Sequence, residues 1–264
     1  MMDRTREPTP LWLSLSAVAT LIYLILPVLI VIPLSLSSSQ FLRFPPPGWS
    51  LQWYREFFTN PAWLEALWNS LQIGMISALI ATVLGSTAAY GLNSGEVKGR
   101  RFLIAFFLSP IIVPLVVLSI SLYGFYAHMG LVGGMTGIVI GHVVYVTPLV
   151  IVTVMAALQK FDPMYERASL SLGAGPIETA LRVTLPNIMP GIVSGFILAF
   201  IASFDELVIA MFVGGPVMTL PRKFWEDLVV VIEPTQAAAS MVLVVTSVVM
   251  LGVWAALQRQ GGAR

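Results

Sequence analysis

The 264-residue chain contains no cysteine, which removes disulfides, thiol catalysis and thiolate metal sites at once. Charge is scarce too: Asp, Glu, Lys and Arg make up 10% of the residues, where soluble domains carry roughly a quarter. The 14 basic residues against 13 acidic ones leave a formal charge of +1, too weak for the concentrated basic face that nucleic acid demands. None of the three lysines, Lys98, Lys160 and Lys223, follows a glycine, so there is no G-x-x-x-x-G-K-[ST] loop to cradle a nucleotide phosphate, and there is no H-E-x-x-H helix. An intramembrane aspartyl protease needs two membrane aspartates, and only Asp205 qualifies. His128 and His142 stand near the ends of apolar runs without a second ligand at metal spacing, which favours packed or interfacial roles. The chain is expected to be no enzyme and to hold neither metal nor cofactor.

What is plentiful is apolar surface: 57% of residues are hydrophobic and the mean hydropathy is +0.88. Apolar runs recur at about 11–34, 70–92, 102–126, 132–158, 188–213 and 238–257, each near the ~20 residues that cross a bilayer. This predicts an all-α membrane protein of about six spans, a single transmembrane domain over residues 1–264. The first run is too long for a signal-peptide core of ~7–15 residues and reads as an uncleaved span. Arg4, Arg6, Lys98, Arg100, Arg101, Lys160, Arg167, Arg182, Arg259 and Arg264 fall on one side of that topology, and Arg43, Arg55, Arg222 and Lys223 on the other. The ten-residue side is the cytoplasmic one. It holds both termini and the segments 93–101 and 159–187; segments 35–69 and 214–237 face outward.

Small residues at intervals of four, such as Ala81, Gly85 and Ala89, Gly130 and Gly134, Gly133, Gly137 and Gly141, and Gly191 and Gly195, read as faces where helices approach closely. Pro110, Pro114 and Pro148 fall inside spans and are expected to bend them. The outer segment carries Trp49, Trp53, Tyr54, Phe57, Phe58, Trp63 and Trp68. Such density fits an amphipathic helix in the headgroup region, or a dock for an external partner. The loop Gly214 to Glu233 reads as a short surface helix, or as a mouth or binding-protein contact.

Residues 159–187 are the most informative stretch. Asp162 before Pro163 makes a helix start, and Gly173 ends that helix by taking a positive φ. Gly175-Pro176 with Glu178 starts a second helix carrying Ile177, Ala180 and Leu181, which Pro186 is expected to end. The apolar faces of these two short helices either pack on the chain's own helix ends or enter a groove on a cytoplasmic partner.

Glu166-Arg167-Ala168, Gly173 five residues later, then Val183, Leu185 and Pro186 resemble the EAA loop of binding-protein-dependent ABC importer permeases, with Arg167 where that family usually has alanine. The resemblance spans roughly residues 50–260 and takes in Asn69-Ser70-Leu71, SFDELVIAMFVGG and TLPRKFW. The second half is most similar to the second permease subunit of spermidine/putrescine importers and their relatives for opines and phosphonates. It implies a type I importer bundle in a bacterial cytoplasmic membrane, with a cytoplasmic coupling helix seated on an ATPase subunit dimer that hydrolyses ATP. It also implies a second, non-identical permease subunit, an extracytoplasmic solute-binding protein and a small polar solute. Glu166, Arg167, Ala168, Gly173, Leu185 and Pro186 would then couple ATP turnover to the spans.

Asp205 and Glu206 interrupt the fifth apolar run beyond its midpoint. An ionised carboxylate there costs several kcal/mol unless it meets water or a partner. The pair reads either as part of the solute pathway or as a lock against a sister permease; as neighbours about 100° apart on a helix, the two can divide these tasks. Buried carboxylates and prolines also suit an ion-coupled secondary transporter, although a self-contained carrier has no need of the amphipathic cytoplasmic loop.

Overall fold

The computed structural model of the chain describes residues 10–93, 97–230 and 233–261, with side chains described except at 253, 254 and 256–261. Arg4, Arg6, Arg264 and the Arg259 side chain, four of the charges used to orient the topology, lie outside that description. Among the described residues the structure is helical apart from one isolated antiparallel bridge, Ser37 to Trp49. Among the described residues five helices are long and apolar enough to cross a membrane, six if one bent pair counts as a single span.

The chain divides into two compact units, Met1–Asn60 with Asp227–Val244, and Pro61–Glu226 with Val245–Arg264. In the first, α1 (Leu11–Ser35) is a span whose apolar side chains are exposed along the isolated chain, as a lipid-facing helix requires. The turn that follows is tied by Ser38 N–H to Gly48 O (3.0 Å) and Ser50 N–H to Leu36 O (2.7 Å). The short helix α2 (Gln52–Thr59) is fastened back on it: Trp53 Nε1 donates to Ser37 O at 2.8 Å and Tyr54 Oη meets Ser35 Oγ at 2.8 Å.

The second unit is built on α3 (Pro61–Asn93), followed by α4 (Arg100–Ile112), α5 (Leu115–Met129) and α6 (Met135–Lys160). Then come α7 (Met164–Ser171), α8 (Pro176–Thr179), a π-helical turn over Ala180–Thr184 and α9 (Leu185–Phe204). α10 (Val208–Val213) follows, and α11 (Leu220–Val230) and α12 (Pro234–Gly261) each have residues in both units. α3, α6 and α9 pack pairwise into the core. Lipid offers no hydrophobic drive to bring helices together, so close backbone approach must supply the attraction. Ala81 and Ala89 are fully buried on α3, and a Cβ built on Gly85 between them would fall 2.8 Å from Val150 Cβ on α6. Gly195 on α9 faces the same Val150, and Gly141 on α6 faces Ile209.

Four details differ from the reading of the sequence. The second span begins at Pro61 rather than 70, because proline is accommodated in a first helical turn, so Trp63 and Trp68 belong to α3. Gly130 and Gly133 lie on no helix face; both adopt positive φ, +68° and +88°, in the connection between α5 and α6, and Gly133 instead lets the backbone at Gly215 approach closely. The run 102–126 is two helices meeting at 101°. Pro110 and Pro148 stay inside intact helices, whereas Pro114 confines Val113 to extended backbone (ψ 130°) and so parts α4 from α5. The run 188–213 is also broken: α9 stops at Phe204 and α10 starts only at Val208.

Replacing Gly85 with leucine is expected to lower the stability of the detergent-purified chain by about 1–3 kcal/mol, since Val150 is β-branched and cannot turn aside. The control is Gly91→Ala on the same helix, where a Cβ meets nothing within 4 Å. Thermal unfolding of both variants checks the difference.

Candidate functional site

Two sites emerge, one at the end of α6 and one inside the bundle. At the first, Asp162 Oδ1 accepts the N–H of Met164 at 2.9 Å and caps α7. Gly173 takes φ +91° to end it, a conformation that a side chain would strain. Ser169 Oγ and Thr179 Oγ1, 2.9 Å apart, fold α8 back on α7. Glu166 is half-buried, and its Oε1 accepts from Thr184 Oγ1 in the π turn and, at 3.5 Å, from Tyr90 Oη on α3. A single carboxylate thus binds α7 to two spans. Arg167 and Ala168 are exposed.

Pro186 does not end the second short helix. It sits in the first turn of α9, which continues from α8 through the π turn, where Leu185 N–H reaches back to Ala180 O. In an unbroken α-helix the ring of Pro186 would strike the carbonyl of Arg182 and leave it without a donor. The wider π turn absorbs the misfit. Leu185 and Pro186 are therefore at the start of a span, held near Glu166 through Thr184. The Glu178–Arg182 ion pair (2.9 Å) is exposed and adds little. The apolar side chains of this segment stay in the open: Leu172 is 89% exposed, Ile177 77% and Leu181 59%.

At the second site, Asp205 and Glu206 do not lie on a continuous helix as the sequence suggested. Asp205 caps the C-terminus of α9 and is exposed, while Glu206 is 3% exposed. The Glu206 carboxylate accepts the N–H groups of Val208 (2.6 Å), Ile209 (2.9 Å) and Ala210 (3.3 Å), capping α10. His142, buried on α6, brings Nε2 to 3.0 Å from Glu206 Oε2, off the line of a directed ring N–H bond. Its Nδ1 lies 2.7 Å from Ser203 Oγ on α9. His128, by contrast, is exposed in the last turn of α5. Among the described residues no three His, Asp or Glu side chains gather to hold a metal ion.

The sequence reading missed Tyr90, Thr184, Ser203 and the meeting of His142 with Glu206. Partners 64 residues apart leave no local pattern; the available signal was that two ionisable groups in different apolar runs each need a partner. The Asn69-Ser70 pair and the TLPRKFW segment are brought together: Asn69 Nδ2 donates to Met218 O (2.9 Å) and Leu220 N–H to Ser70 Oγ (2.7 Å). Arg222 donates to Gly215 O and to Glu226, both at 2.7 Å, and Lys223 lies 5.2 Å over the ring of Trp63.

The structure is a polytopic membrane bundle with broken helices and a short-helix loop at the end of one core span. The family model of the binding-protein-dependent transport system inner membrane component matches residues 81–259, and the chain belongs to that family. It is similar to the Escherichia coli K12 spermidine/putrescine transport system permease protein PotC, 31% identical over 230 residues covering 87% of each chain. The putrescine permease protein PotI of the same organism is 32% identical over 246 residues, 90% of this chain and 87% of that one. Its fold is similar to that of the MetNI methionine ABC transporter (TM-score 0.64, 18% identity, 75% of this chain and 95% of that one). It also matches a bacterial ABC transporter importing alginate (TM-score 0.65, 14% identity, 96% and 98%). The chain is a multi-pass inner-membrane permease component of an ABC importer, and nothing supports the ion-coupled carrier.

Thr184→Val keeps the shape of the residue but removes the donor to Glu166. A loss of about 1 kcal/mol is expected, read as earlier thermal unfolding, and Thr184→Ser should restore it.

Proposed function

We propose that this chain acts as one transmembrane domain and pairs with a non-identical sister permease, above an ATPase subunit dimer and below an extracytoplasmic solute-binding protein. The assembly imports a small polar, cationic solute of the polyamine class by alternating access. Both termini and the 159–187 segment face the cytoplasm, in keeping with the distribution of basic residues. ATP is hydrolysed by the partners, since this chain has no phosphate-binding loop.

The observation that carries the reading is the exposure of Leu172 at the end of α7, Ile177 on α8 and Leu181 in the π turn, along the segment that leaves the end of α6. Water-facing apolar side chains of this size need a cover. A groove on an ATPase subunit supplies one, with Arg167 and Ala168 open to the same partner. Closure of the ATPase dimer then pushes α7, and Glu166 passes the push to α3 through Tyr90 and to α9 through Thr184. Asp205 is exposed beside a helical break and so offers a carboxylate to a cation crossing the membrane. The polyamine assignment rests on this carboxylate together with the similarity to PotC and PotI.

Gentle detergent extraction followed by mass spectrometry of what stays attached tests the assembly: an ATPase and a second permease are expected, and a chain that purifies alone would count against it. Gly173→Pro should leave insertion and assembly intact yet uncouple ATP hydrolysis from uptake, and normal uptake by this variant would refute the coupling role. Asp205→Asn should cut the uptake of labelled putrescine or spermidine by about tenfold or more without loss of assembly. Disassembly would assign Asp205 to a subunit lock instead.

A further inference from the structure

The break between α9 and α10 leaves the N–H groups of Val208, Ile209 and Ala210 without carbonyls in a preceding turn. In an apolar surround such groups must find partners inside the protein. Glu206 answers all three with one carboxylate. His142 on α6 closes over the same carboxylate, its Nε2 3.0 Å from Oε2. The other edge of the imidazole is held by Ser203 in the last turn of α9. One ring therefore joins three elements: α6, the end of α9 and the start of α10.

The consequence falls on the residue between. Phe204 is 2% exposed and stacks on Phe200 with centroids 5.6 Å apart, and Glu206 is buried by its cap, so the bend turns Asp205 outward. We infer that His142, Ser203 and Glu206 are positioning residues: their buried network holds the break open in the geometry that presents Asp205, and Glu206 itself does not meet the solute. The inference rests on the reading of Asp205 as a pathway residue, and it separates two adjacent carboxylates into one that binds and one that builds.

The absence of cysteine makes the test direct. Asp205→Cys introduces one thiol into the chain, and the importer, purified with its partners and reconstituted in liposomes, is treated with a cationic, membrane-impermeant methanethiosulfonate, scoring label on this chain alone. Rapid modification is expected with the network intact. Adding His142→Leu or Glu206→Ala should slow it by about tenfold, because the first leaves the Glu206 carboxylate without its neighbour on α6 and the second leaves the N–H groups without an acceptor, and either loss lets the break relax and turn position 205 from its bend. His142→Gln, whose amide N–H reaches toward the position of Nε2, should stay within about twofold of the parent rate. With Asp205 retained, His142→Leu should raise KM for putrescine while kcat changes little. Equal modification rates across the series would overturn the inference, as would a thiol that is unreactive while the network is intact. If His142→Leu fails to assemble, Ser203→Ala, which removes one contact, decides the matter by the same rates. A wrong solute class would show separately, as no putrescine uptake by the unsubstituted importer while the modification rates keep their order.

Discussion

Inside a bilayer no water is at hand to satisfy backbone N–H and C=O groups, so every interruption of a helix must be repaired by the protein itself. Among the described residues three interruptions of the apolar runs show how this is done. At Val113 and Pro114 the proline removes one donor, and α5 restarts at once with Leu118 N–H on Pro114 O. At Ala180–Thr184 a π turn takes up the proline that follows. At 205–207 a buried glutamate caps the new helix. An uninterrupted six-helix bundle would be simpler to satisfy but would have no bend to carry Asp205 and no π turn beside the α7–α8 loop.

The two sites share one design at opposite ends of α9. In each, a carboxylate on a short, irregular segment accepts hydrogen bonds that tie that segment to a core helix: Glu166 through Thr184 and Tyr90, Glu206 through His142 and the first turn of α10. Between them α9 runs as a stiff rod packed on α3 and α6 through glycine and alanine contacts such as Gly195 on Val150. α9 therefore has the Glu166 contacts at one end and the break that carries Asp205 at the other. Rigid elements with discrete hydrogen-bonded ends carry motion better than a uniformly soft bundle would.

Much of this was legible in the residues. Composition alone placed the chain in a membrane. The Gly173 corner and the Asp162 helix start follow from local backbone chemistry, which acts over a few residues and leaves its mark there. Pro186 misled because a proline at the end of a short helix and one in the first turn of the next look alike in sequence. Asp205 and Glu206 looked like helical neighbours 100° apart because the apolar run continues past them to Val213, and hydropathy does not register where hydrogen bonding stops. Their opposite fates, one exposed and one buried, depend on a histidine 64 residues earlier.

The sequence by itself determined the solvent, the helical class, the number of apolar runs, the amphipathic loop and its corner, since these depend on composition, periodicity and the conformational limits of glycine and proline. Only the tertiary structure decided which runs break and which carboxylate is spent on the backbone. Those outcomes turn on pairings between distant segments: Val150 against Gly85, Thr184 against Glu166, His142 against Glu206. A buried polar group is satisfied by whatever the fold brings within about 3 Å of it, and that distance is set by packing, not by order along the chain.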